Sequence, residues 1–93
     1  MRTIERSAAF KKDYKREAKG KYKKILDEVL TTVLMFLVTD KGLAPKYRDH
    51  ALTGNWYGCR ECHLKPDLLL IYKKSGKSSL HLVRIGSHSN LFS

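Results

Sequence analysis

The sequence predicts an α+β domain: an antiparallel β-sheet with an N-terminal helical hairpin packed on one face, in the order β-α-α-β-β-β. Three observations carry this reading. Apolar residues recur at helical spacing over residues 8 to 38, three strand-like runs follow Gly54, and tight-turn sequences separate those runs. The 93 residues form one domain, 1–93, large enough for a single core but too small to enclose a sizeable cofactor. Hydrophobic residues at 42% against charged residues at 30% describe a chain that folds rather than a disordered one.

The first element is "RTIER", which alternates polar and β-branched residues and stops at Ser7, a helix N-cap residue. Phe10, Tyr14 and Ala18 then recur every fourth residue, while Lys12, Lys15, Arg16 and Lys19 share the opposite side. Gly20 interrupts this amphipathic helix. A second helical stripe runs through Tyr22, Ile25, Leu26, Val29, Leu30, Val33 and Leu37 to about Val38. Gly42 and Pro45 mark the exit into a loop. The remaining strands are "WYGCRECHL", "DLLLIYK" and "SLHLVRIG", turned by "KP" and by "KSGK".

Charge narrows the partners. Nineteen Lys and Arg against nine Asp and Glu leave a net +10, and residues 1–26 hold ten basic residues against three acids. That balance points to a polyanion such as RNA or an acidic protein. The N-terminus has no apolar signal region, and the longest apolar run, "VLTTVLMFLV", is about half of a bilayer span. A cytoplasmic protein with no membrane partner is expected.

A register drawn from the turns gathers the reactive residues. Placing Lys73 opposite Ser78 puts Asp67 opposite Arg84, so that His63, Asp67, Arg84 and His88 converge on one sheet edge. Glu61 projects from the same strand face as His63, and His81 faces the other way as a bystander. Cys59 and Cys62 sit in a strand pattern, pointing to opposite faces with Cα atoms roughly 10 Å apart, which argues against a shared metal or a disulfide. They read as small hydrophobes, and neither a metal nor a cofactor is expected.

The same edge fits metal-free RNA cleavage. A base takes the 2′-OH proton, that oxygen attacks phosphorus, and an acid protonates the leaving 5′-oxygen. Histidine serves either role, arginine holds the phosphate, and a carboxylate orients or exchanges a proton. His50 in the preceding loop is a further donor. Trp56 and Phe92 are either core rings or platforms on which a base stacks, worth about 1–3 kcal/mol. Spacing alone leaves a solvated polar strand end as the alternative.

The segment "YRDHALTGNWYGCRECHLKPDLLLIYK", followed by "RIGSHSNLF", resembles the YafQ branch of the RelE/ParE superfamily of bacterial toxins, and the resemblance covers essentially the whole chain. It implies the RelE-like microbial RNase fold, ribosome-dependent mRNA cleavage in the A site and neutralisation by an acidic antitoxin. By motif it implies His88 as principal general acid or base, Asp67 and His63 as its counterparts, and His50 either at the phosphate or sharing the proton transfer. Arg84 would stabilise phosphate charge, Glu61 would orient, and Phe92 is the terminal aromatic. Lys11, Lys12, Lys15, Arg16, Lys19, Lys21, Lys23 and Lys24 would grip ribosomal RNA. Two positions depart from relatives, which often carry Pro at Ala51 and Trp at Leu68. The competing reading, which rests on charge and fold without the histidines, is a non-enzymatic ribosome- or nucleic-acid-binding module, or a toxin of the gyrase-poisoning ParE branch.

Overall fold

Ser7 joins the first two elements. The computed structural model describes residues 1–92. In it, strand β1 (Thr3–Arg6) runs into helix α1 (Ala8–Glu17), and the Ser7 Oγ accepts from the Phe10 amide at 2.9 Å. The same hydroxyl donates to the Val83 carbonyl at 2.7 Å, so the helix cap is also a tether to the sheet. Helix α2 (Leu26–Val38) follows, and residues 18 to 25 form successive turns. The helical pattern read across this segment is therefore not realised. Gly20 is costly in a helix, and Lys19, Lys21, Lys23 and Lys24 repel one another at helical spacing.

Past a 3-10 turn (Pro45–Tyr47) come β2 (His50–Ala51), a second 3-10 turn (Gly54–Trp56), β3 (Arg60–Lys65), β4 (Leu68–Ser75), β5 (Ser79–Gly86) and the short helix α3 (His88–Phe92). Left-handed backbone at Gly54 and Gly58 breaks the expected "WYGCRECHL" strand, so Trp56 lies in a turn and extended pairing starts at Arg60. Leu52 N–H to the Cys59 carbonyl, at 2.9 Å, closes the loop that carries Trp56.

The sheet order is β1-β5-β4-β3-β2. Strands β3 to β5 form the expected antiparallel meander, the two-residue β2 extends it from the segment expected as a loop, and β1 lies parallel to β5, with Thr3 opposite Ser79. Beyond Leu82, where β1 ends, side chains from α1 replace a strand partner. Asp13 accepts from the Ile85 N–H at 3.1 Å, and Arg16 donates to the Ile85 carbonyl at 3.1 Å. The exposed edge is thereby satisfied without another strand.

Two apolar clusters sandwich the sheet. Phe10, Leu26, Leu30, Val33 and Leu37 from the helices meet Cys62, Leu64, Leu68, Leu70, Tyr72, Leu80, Leu82 and Ile85 on one face. Full burial of each aliphatic side chain contributes about 1.5–3 kcal/mol. On the other face Leu69, Ile71 and Leu91 pack with Leu52, Trp56, Cys59, Val83 and Phe92. Cys59 and Cys62 thus belong to opposite faces, as their spacing implied. Among the described residues no helix is long and apolar enough to cross a membrane.

Candidate active site

The site is built at the ends of β2, β3 and β4 and on α3. His50 pairs with Glu61 across the β2–β3 ladder, and its Nε2 lies 3.0 Å from Glu61 Oε2. Its Nδ1 lies 2.6 Å from the Arg48 carbonyl, which is turned toward the ring by the left-handed conformation of Arg48 (φ 49°). A carbonyl and a carboxylate both accept, so the two contacts are hydrogen bonds together only when the ring is the doubly protonated cation. Glu61 is 6% exposed, a buried acid whose described charge partner is this ring.

His63 projects from the same side of β3, with its ring centroid 6.5 Å from that of His50. Its Nδ1 lies 3.2 Å from the Pro66 carbonyl. That contact selects the tautomer with the proton on Nδ1 and leaves the Nε2 lone pair to accept a proton.

Asp67 occupies the β3–β4 turn, and its Oδ1 accepts from the His88 N–H at 3.2 Å. The His88 ring lies 4.9 Å from that of Phe92, which in turn meets Trp56 edge-on at 6.0 Å. Gly86 and Leu69 are partners across β4–β5, and Leu69 and His63 across β3–β4. Successive strands are about 4.8 Å apart, so the row from His63 to the start of α3 crosses only about 10 Å. His50, His63, Asp67, His88, Phe92 and Trp56 therefore share one side of the molecule.

Arg84 does not join them. The residues between β4 and β5 form a three-residue turn around Gly76 (φ 58°), and a bulge lies at Ile71 and Tyr72. Together they move the register, so Lys73 faces His81 rather than Ser78, and Arg84 faces Ile71 rather than Asp67. Arg84 Nε and Nη2 instead donate to Asp13 at 2.6 and 3.0 Å. Burial alone would raise the Asp13 carboxyl, but hydrogen bonds from Arg84, the Ile85 amide and Arg16 outweigh it and hold the group below its ordinary range. The same shift in register takes Asp67 to His88, which improves the site it was expected to form.

Lys11, Lys12, Lys15, Lys19, Lys21, Lys23 and Lys24 are exposed, on α1 and the turns after it. They lie on the helical side of the sheet, away from Trp56 and Phe92. Arg16 is committed to Asp13, Glu17 and the Ile85 carbonyl, so it is part of the fold. His81 stands 3.5 Å from Glu5, outside the site. Leu68 is fully buried on the helical face.

Sequence reasoning missed the clamp behind His50. Asp49 accepts from the Tyr72 hydroxyl at 2.5 Å and from Arg60 Nη2 at 3.0 Å. Burial and the facing carboxylate push the Tyr72 phenol upward, so it remains a donor. Only the adjacency of Asp49 to His50 could have drawn attention to it. Among the described residues no three His, Cys, Asp or Glu side chains converge as a metal ion requires.

The chain is similar to known proteins over its full extent. The mRNA interferase toxin YafQ of Escherichia coli K12 is 35% identical over 92 residues, 99% of this chain and 97% of that protein. A metal-bound toxin from Helicobacter pylori is 48% identical with a TM-score of 0.81, covering 99% of this chain and 100% of that one. YafQ from an E. coli DinJ-YafQ complex superposes with a TM-score of 0.81 at 32% identity over 100% of both chains. The family model for YafQ, bacterial toxins of type II toxin-antitoxin systems, matches residues 2–93, and on the fold and the match together the chain belongs to that family.

Proposed function

We propose that this toxin is an endoribonuclease that cuts translated mRNA in the ribosomal A site, by proton transfer without a metal, and that a cognate acidic antitoxin restrains it. The observation that carries the reading is the pair His50 and His63. One ring has both nitrogens facing acceptors and the other keeps one nitrogen available, 6.5 Å away.

A phosphodiester laid across β3 meets a proton acceptor and a cation together. His63 Nε2 takes the proton from the 2′-OH, and that oxygen attacks phosphorus. The P–O5′ bond breaks, and His88 gives its proton to the departing 5′-oxygen, leaving a 2′,3′-cyclic phosphate and a 5′-hydroxyl. With Arg84 engaged by Asp13, His50 supplies the positive charge at the phosphate. Asp67 holds the backbone of His88, and Phe92, braced by Trp56, offers a face to a base. The exposed lysines of α1 and the following turns engage ribosomal RNA on the opposite side.

The E. coli relatives bear the name mRNA interferase, and one has been solved with DinJ, which supports both the activity and the antitoxin. Primer extension on a translated mRNA, with and without ribosomes, tests the reading. Cleavage only with ribosomes, lost in His88→Ala at unchanged thermal stability, is the expected result. Toxicity without RNA breaks would instead favour a binding module.

A further inference from the structure

A second groove adjoins the site. It lies between α2, the 3-10 turn Pro45–Tyr47 and the end of β3, with a volume of about 550 Å³. Its lining includes Lys46, Arg48, Lys65, Glu28, Thr32 and, at its border with the site, His63. That volume falls within the roughly 300–1,000 Å³ of pockets that hold small ligands.

Three features define what it takes. First, His63 belongs both to this groove and to the proton-transfer site, so a chain lying against His63 continues into the groove. Second, three cations face a single acid, the balance that a phosphodiester backbone selects. Arg48 also ties the groove to the site, because its carbonyl holds His50. Third, the α2 wall offers acceptors. Glu28 is one turn from Thr32, whose hydroxyl gives its proton to the Glu28 carbonyl at 2.9 Å and so faces outward only with lone pairs.

We propose that this groove binds the mRNA nucleotide next to the scissile phosphate, with Lys46, Arg48 and Lys65 on its phosphate and Glu28 and Thr32 reading its base. Two acceptors favour a base that presents an exocyclic amine, namely adenine, cytosine or guanine, over uracil, which has none. The inference rests on the endoribonuclease reading above and adds to it a source of sequence preference on the toxin itself.

Single-turnover cleavage of a translated mRNA, with toxin in excess over ribosomes, tests it. In Lys46→Ala/Lys65→Ala the half-saturating concentration should rise about tenfold or more, with the rate at saturation within about twofold. In Glu28→Gln the bias against uracil beside the cut should disappear from the primer-extension pattern, because the amide can donate to a uracil carbonyl. A Lys12→Ala/Lys19→Ala control, on α1 and the turn after it and outside the groove, should leave that bias intact. The groove assignment fails if the wild-type protein cuts and either groove variant leaves its reading unchanged. It fails too if the control erases the bias. Wild-type protein that cuts no translated mRNA overturns the endoribonuclease reading, and the groove assignment with it.

Discussion

Glu61 lies directly across the β2–β3 ladder from His50 and holds its Nε2 at 3.0 Å, while being almost wholly shielded from water. The carboxylate therefore works at close range in a poor dielectric, where charge is strongly felt. Glu61→Gln keeps the shape and removes the charge. Cleavage should fall about 10²-fold, the low end for loss of a group supporting proton transfer, with the circular dichroism spectrum unchanged. A variant that cuts at the wild-type rate would remove Glu61 from the mechanism.

Asp67 and His88 make a sharper distinction, because the contact is between a side-chain oxygen and a backbone N–H. Asp67→Asn retains that acceptor and Asp67→Ala does not. If Asp67 positions His88, Asn should keep activity within about threefold, and Ala should lose tenfold or more, about 1.4 kcal/mol of transition-state stabilisation. Equal losses in single-turnover assays would mean that Asp67 itself exchanges a proton.

Asp13 predicts stability rather than activity. Its side chain is 3% exposed and collects Arg84, Arg16 and the Ile85 amide. Asp13→Ala strands those donors and should cost about 3 kcal/mol in a urea titration. Arg84→Ala should also register first as a loss of stability, which contrasts with the phosphate-holding arginine expected from the motif.

Acid sensitivity follows from two carboxylates. Asp40 is held down to about 2 by hydrogen bonds from Lys74 and Arg2, and Asp13 is lowered by the contacts already described. A carboxyl depressed in the folded state stabilises the fold above its unfolded pKa, about 3.9, and the contribution is lost as pH falls through the folded value. Thermal midpoints should therefore drop between about pH 4 and pH 2. Asp40→Asn should flatten the lower part of that slope, and an unchanged profile would show that the clamp is absent in solution.

The two cysteines should separate chemically. Burial first, and the nearby carboxylates of Asp49 and Glu61 next, push the Cys62 thiol up to about 12. It has no exposed surface, whereas Cys59 is half-buried in the second cluster. Mass spectrometry after mild alkylation should find Cys59 modified and Cys62 intact until the protein is unfolded.

What the sequence discloses depends on the range over which its signals act. Ser7 as a cap, the β5 boundaries and the opposed cysteines follow from local rules, and all three appear in the fold. The pairing of β4 with β5 does not, because one turn length and one bulge decide it, and they moved Arg84 out of the site and Asp67 onto His88. Helix α3 is five residues long, too short for a periodic pattern, although the Ser87 hydroxyl bonded to the Asn90 amide at 3.1 Å is a cap that could have signalled it. The Asp49, Arg60 and Tyr72 clamp joins residues up to 23 positions apart and leaves no trace in spacing.

The parallel pairing of Thr3 with Ser79 has a consequence for synthesis. Strand β1 finds its neighbour only after more than seventy further residues have been made. Until then β1 and the α1 cap on Val83 have nothing to hold, and His88 and Phe92 come later still. Contacts this distant in sequence form slowly. The proposed site therefore stays incomplete on the nascent chain until β5 and α3 have been made, because His88 and Phe92 follow the last strand.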